Sequence, residues 1–394
     1  MPDLCTRTFQ QLSTSMGFSC ADVGGLVVVR NPLSLANWTL PVLELTVIVG
    51  AVLALVYAIR RYRRQRDATN LVLWFGAIAY LAIIEPPLYF PDAFGIADRV
   101  DTMFAHDLFT VDFLWGRLPL YIIAIYPMMA TVAFEIVRVL GVFHRYGTLA
   151  GAVCVGFVHH LFYEIFDHLG PQLRWWEWSV GNPLNQPMFT AVPLGSVVVF
   201  AALWPMSLAF CVQFFVGRHM DRGRRFGVLG LIWRTVAVGV LASIGTVLLP
   251  LPATVLGLLT NSFAWQGFGY VVEWLAMVAV SVYVFVEQWR RYRHGGITAL
   301  SGGPVAVGYT NPLIVRYAAC YLAVMAVLWL ASLPAYFGAT GGVTASGDPV
   351  GSIWYVALCF VAAGLVTYIA DSIKAGPAVG KSAVASSGSA ATPA

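Results

Sequence analysis

The sequence predicts an all-α fold: a polytopic transmembrane helix bundle of nine spans, N-terminus outside and C-terminus inside. Three observations predict it. First, of 394 residues 59% are hydrophobic and only 11% are charged, whereas soluble domains carry about a quarter charged residues. Too few charges remain to cover a water-exposed surface, so the chain belongs in a bilayer. Second, nine apolar runs are long enough to cross about 30 Å of hydrocarbon. Third, eighteen of the 23 basic residues fall in alternate connections, which marks one side as cytoplasmic. Termini on opposite sides require an odd number of spans. The net charge of +4 is too small and too local to recruit nucleic acid. The same composition excludes disordered, collagen-like and disulfide-scaffold chains.

Residues 1–40 are read as an extracytoplasmic segment. They contain no basic n-region followed by a continuous apolar h-region, so no secretory signal peptide is read there and the first span directs insertion. Cys5 and Cys20 lie in this segment, where an oxidising compartment permits a bridge. The transmembrane domain covers 41–371, with spans at 41–59, 69–86, 118–140, 146–166, 188–216, 227–249, 264–287, 313–336 and 350–371.

The basic residues follow the odd-numbered spans. Arg60, Arg61, Arg63, Arg64 and Arg66 follow the first, and Arg138 and Arg145 join the third to the fourth. Arg218, Arg222, Arg224, Arg225 and Arg234 lie between or just inside the fifth and sixth. Arg290, Arg291, Arg293 and Arg316 flank the seventh-to-eighth connection, and Lys374 and Lys381 lie at or past the start of the tail. That tail, 372–394, is built of small residues and predicts disorder. The expected location is the cell (plasma) membrane, multi-pass. Residues 294–312 form a Gly-rich inner linker whose Gly302-Gly303-Pro304 lacks the GK[ST] of a phosphate loop.

Two outer connections are long. Residues 87–117 open on prolines, and 97–110 are predicted as a short interfacial helix, with His106 a surface residue beside Asp107. Residues 167–187 carry Arg174-Trp175-Trp176-Glu177-Trp178, the composition of an interface belt.

Ionisable residues at membrane depth are costly and mark function by default. Glu44, Glu85, Glu164, Asp167 and Glu273 come from four helices and converge on the outer half of the bilayer, while Glu135 sits in the inner half near Arg138, an easy i,i+3 pair. In the fourth span His160, Glu164 and His168 are spaced i, i+4, i+8 and share one helical face, with His159 flanking it.

Four readings of this cluster stand open. The groups pair with one another to hold helices together. They bind a divalent metal, Zn or non-haem Fe, through His160, Glu164 and His168 with Glu85 or Glu273. They do acid–base chemistry on an apolar substrate entering from the lipid; carboxylates grouped in an apolar environment cannot all ionise, and a neutral carboxylic acid is a competent general acid. Or paired histidines hold a haem.

The order of features around the carboxylates resembles the carotenoid hydratase family, integral membrane proteins that add water to the ψ-end of acyclic carotenoids. The resemblance runs through Leu43-Glu44-Leu45 to Arg60-Arg61, Ala82-Ile83-Ile84-Glu85, Leu118-Pro119-Leu120-Tyr121 and Tyr126-Pro127. It continues with Asp167, Trp176-Glu177-Trp178 and Ala191-Val192-Pro193-Leu194-Gly195, and it covers roughly residues 41–215. The double proline after Glu85, the His159-His160 pair and the additional C-terminal spans depart from that family.

The resemblance implies a membrane enzyme acting on an isoprenoid lipid. A neutral Glu85 or Asp167 donates a proton to a double bond, Glu44 or Glu164 activates water, and Trp176, Trp178, Tyr121 and Glu273 contact the substrate. Hydration and cyclisation are alternative outcomes. No cofactor is required, a divalent metal being the alternative. A non-enzymatic transport or assembly subunit, binding a proton, metal or lipid at the same groups, is the competing expectation.

Overall fold

The computed structural model describes residues 5–98, 100–301 and 311–373. Among them, nine helices are long and apolar enough to span a membrane: Thr39–Gln65, Thr69–Tyr89, Leu120–Val139, Val142–Asp167, Ser196–Asp221, Val228–Thr260, Phe263–Gly295, Pro312–Phe337 and Ile353–Ser372. They are called the first to ninth spans here. Arg99, the Gly302-Gly303-Pro304 segment, Lys374, Lys381 and the rest of the tail lie outside the described residues.

Burial sorts the spans. In the most apolar stretch of the third span 89% of residues are buried, against 28% in the seventh. The third, fourth and fifth spans therefore form the centre, and the others surround them. Large apolar side chains left exposed on the outer spans, such as Leu241, Leu258, Val272 and Leu358, are the surface that lipid would cover. In a bilayer no hydrophobic drive joins helices, so close packing of small residues must do so. Gly156 of the fourth span illustrates this: a Cβ there would come within 2.6 Å of the Ala202 carbonyl oxygen of the fifth.

The helices break where the backbone dictates. The third and fourth spans meet at Gly141 (φ 70°), and Gly147 (φ 80°) leaves the helical region inside the fourth; both positions suit a residue without a Cβ. Pro250 interrupts the sixth span between Val228–Leu248 and Leu251–Thr260, because proline offers no amide hydrogen to the ladder. This span thus continues past the expected end at 249. The fifth begins as a π-helix over Ser196–Leu203, turns α-helical over Trp204–Val212 and becomes π-helical again over Gln213–Gly217.

A small cap covers one end of the bundle. A helix Arg7–Met16 starts at Thr6, whose side chain accepts from the Phe9 amide, and ends at Gly17. A Cys5–Cys20 disulfide closes this segment. Strand Val27–Val29 pairs antiparallel with Val111–Phe113, which pairs with Leu118–Pro119. A second ribbon joins Phe104–His106 to Trp176–Trp178.

The interfacial helix expected over 97–110 is thus corrected: strand Phe104–His106 runs through it. Alternation explains the strand. Phe104 and His106 face one way with Trp178 and Trp176, while Ala105 packs in the apolar cluster around Phe9 and Leu12.

The opposite end of the bundle holds a polar network. Asp67 receives Arg138 Nη2 at 2.6 Å and Arg61 Nε at 2.7 Å. Glu135 accepts from Asn70 at 2.8 Å, Asn311 at 2.6 Å and Tyr57 at 3.1 Å, with Arg138 at 3.8 Å. The expected Glu135–Arg138 pair is one edge of this larger structure.

Candidate functional site

Beneath the second ribbon lies a small cavity of about 50 Å³. That is room for roughly three or four waters. Its walls come from five places. The second span gives Glu85, and the third gives Tyr121 and Tyr126. The fourth gives His159, Tyr163, Phe166 and Asp167, the fifth gives Phe200 and Trp204 four residues apart, and the ribbon roofs it with Phe104, His106, Trp176 and Trp178.

Both acids are buried. Glu85 Oε1 accepts from the Tyr126 hydroxyl, and Tyr89 stands beside the same carboxylate. Its Oε2 has no partner in hydrogen-bonding geometry. Asp167 Oδ2 accepts from Ser196 Oγ at 2.7 Å, and its Oδ1 is buried without a partner. Buried polar atoms without partners are rare and call for an explanation. Here two of them belong to acids that face one aromatic-walled space.

His106 was expected at the surface and is corrected: it is buried and lines the cavity. Its Nδ1 lies 3.0 Å from the Tyr121 hydroxyl and its Nε2 3.4 Å from that of Tyr89. Burial pushes the imidazole down to about 3, so the ring is neutral at physiological pH. The ribbon pairing that buries it joins residues 70 apart in the chain, and no local pattern announces it.

The fourth span presents two adjacent stripes, and the one singled out from the sequence is not the cavity face. His159, Tyr163, Phe166 and Asp167 look into the cavity. His160, Glu164 and His168 lie on the neighbouring face, toward the seventh and ninth spans. His160 donates Nδ1–H to the Val197 carbonyl at 2.9 Å and its Nε2 accepts from Trp274 at 3.0 Å, with Tyr355 at 2.5 Å. His168 Nδ1 accepts from the Ser352 amide at 3.2 Å, which leaves the ring proton on Nε2, 3.2 Å from Glu164 Oε2. Among the described residues, no three His, Cys, Asp or Glu side chains are gathered so as to hold a metal ion. The metal set of His160, Glu164 and His168 does not converge because the His160 nitrogens are already engaged.

The remaining carboxylates lie elsewhere. Glu44 gives both oxygens to backbone amides, Thr110 at 3.1 Å and Val111 at 3.2 Å, and so ties the cap to the first span. Glu273 accepts from the Ala253 amide at 3.2 Å, joining the seventh span to the helix after Pro250. Of the five acids expected to converge, Glu85 and Asp167 share the cavity, and Glu44, Glu164 and Glu273 are not among its lining residues. Tyr121, Trp176 and Trp178 do line it.

No protein-family model matches the chain, and no curated protein or solved structure does.

Proposed function

We propose that this chain is an integral membrane enzyme that protonates a double bond of an isoprenoid or carotenoid-like lipid, followed by hydration or cyclisation. The observation that carries the reading is the pairing of Glu85 and Asp167, each with an unpartnered oxygen, in one aromatic-walled cavity. A neutral carboxyl gives its proton to the less substituted carbon of the terminal double bond. A C–H bond forms, the π bond is consumed, and a tertiary carbocation is left beside the new carboxylate. Tyr126, Trp204, Trp176 and Trp178 supply the electron-rich faces that stabilise such a cation. Water then adds to the cation, or, where water is excluded, a neighbouring double bond attacks and closes a ring. The modest volume suits one end group reaching in rather than a whole polyene being enclosed.

The same reading directs the cavity to the outer leaflet. The cap, with its Cys5–Cys20 disulfide, supports this, as does the concentration of arginines at the opposite end.

The test is incubation of the protein in lipid nanodiscs with an acyclic carotenoid in D₂O or H₂¹⁸O. The expected result is a product carrying one ¹⁸O in a hydroxyl, or a ring isomer carrying one deuterium. A wild-type protein that gives neither defeats the reading.

The small volume also favours a second reading, a non-enzymatic subunit whose orphaned carboxyls hold a proton or a lipid head group. Co-purification of a stoichiometric lipid, with no product formed, would select it.

A further inference from the structure

We infer that His159 is the catalytic base of this cavity, its Nε2 lone pair taking the proton that the reaction releases after the carboxyl has delivered its own. The inference rests on the acid-catalysed reading above and assigns a role that the two carboxyls leave unfilled.

Hydrogen-bond accounting carries it. His159 Nδ1 lies 2.7 Å from the Ala201 carbonyl oxygen. A carbonyl oxygen can only accept, so Nδ1 bears the hydrogen, and in the neutral ring Nε2 is then an unprotonated acceptor. His159 lines the cavity, and no hydrogen bond among the described residues occupies that Nε2.

The ring is held in place. It stacks on Tyr163 with centroids 5.7 Å apart and planes at 20°, and it meets Trp204 edge-on at 5.2 Å and 84°. The acceptor carbonyl belongs to the π-helical stretch Ser196–Leu203, and π-turns within helices concentrate at functional sites. The neighbouring histidine makes the contrast. His160 is held the same way through Val197, but its Nε2 accepts from Trp274. Of two adjacent histidines on carbonyls four residues apart, one is closed off and one lines the cavity that the acids share.

The step balances. The carboxyl proton forms the new C–H bond, and water oxygen forms the C–O bond with the cation. The proton lost from that oxygen passes to His159 Nε2 and then returns to the carboxylate, so the net change is addition of one water. In ring closure the same nitrogen takes the proton from the carbon beside the final cation.

His159→Asn tests this, because an asparagine amide can still donate to Ala201 while the Nε2 acceptor is gone. Product formation should fall by at least about a hundred-fold, the lower range for loss of a general base, with the thermal unfolding profile retained. In His159→Ala, added imidazole should restore product in a concentration-dependent way, which a merely structural role would not allow. In ¹⁵N-histidine spectra of the wild type, an Nδ1-protonated ring with bare Nε2 should be present beside that of His160, and that one signal should vanish in His159→Asn.

Turnover of His159→Asn at the wild-type rate overturns the inference and leaves the acid reading standing. So does a His159 ring protonated on Nε2. If His159→Asn fails to fold, imidazole rescue of His159→Ala and the wild-type spectra decide. If the wild type itself makes no product, the acid reading fails and the base falls with it.

Discussion

The two ends of the bundle bury the same kinds of side chain and treat them differently. At the arginine-rich end Asp67 and Glu135 are met by Arg61, Arg138, Asn70, Asn311 and Tyr57. At the capped end Glu85 and Asp167 are met only by neutral hydroxyls, each keeps one buried oxygen without a hydrogen-bond partner, and both residues line an aromatic cavity. A carboxylate surrounded by donors fixes helices to one another. A carboxyl given only neutral donors in an apolar space is placed to give up or accept a proton. Depth in the membrane alone does not distinguish structural from chemical acids; the number and charge of their partners does.

The largest effect expected from this contrast is on turnover. Asp167→Asn or Glu85→Gln should lower product formation by about a hundred- to ten-thousand-fold, the range for loss of a general acid, with little loss of thermal stability. Product assays beside unfolding curves in detergent check both halves. A variant that loses stability and turnover together would mean that the capped end, too, is structural.

At the other end the pattern should invert. Arg138→Met or Asp67→Asn removes one member of a buried, hydrogen-bonded ion pair and should cost about 3–5 kcal/mol of stability. The turnover of whatever protein remains folded should be unchanged. Equilibrium unfolding, with activity normalised to folded protein, measures this.

Each end should also fail in acid in its own window. Burial alone would raise Asp67, but Arg138 and Arg61 beside it hold the carboxyl well below the usual carboxylate range. Its unfolded form binds a proton first, so its contribution is complete above about pH 3.9 and is lost as the pH falls below that. His106 is held neutral, at about 3, while its unfolded form takes a proton near 6.5. Its contribution is therefore complete above about 6.5 and declines as the pH falls toward 3. Burial pushes Asp112 up to about 7 and Asp107 to about 6, and these act in the opposite sense. The His106 share is accordingly the difference between wild type and His106→Gln in unfolding midpoints from pH 7 to pH 4. Equal slopes for the two proteins would contradict it.

The smallest expected effect is on the aromatic wall. Trp178→Leu should slow turnover by about 2- to 30-fold, the equivalent of one cation–π contact, with KM changed less than kcat.

How much of this was legible in the sequence follows from range. The nine spans were, because a bilayer demands about 20 apolar residues in a row and each demand is met locally. The apolar run of the sixth span ends at 249, yet a helix resumes at Leu251 beyond Pro250. Glu85 and Asp167 were legible as charges at depth. That they share a space with each other, and not with Glu44, Glu164 or Glu273, depends on how the helices are arranged around the third and fourth spans, which periodicity does not encode. The fourth span shows the limit most clearly. Stripes one residue apart both carry histidine and carboxylate, and only the neighbours decide which one faces the cavity. His106 and its ribbon were hidden because strands of three residues, paired over 70 positions, leave no periodic trace.

The ribbon also sets an order in time. Phe104–His106 lies between the second and third spans, and its partner Trp176–Trp178 between the fourth and fifth. A chain still being synthesised has no second strand for the roof until residue 178 has emerged, and the wall bearing Phe200 and Trp204 comes later still. Glu85 and Asp167 are therefore in place before the cavity around them is closed. Its completion waits until five of the nine helices have been made.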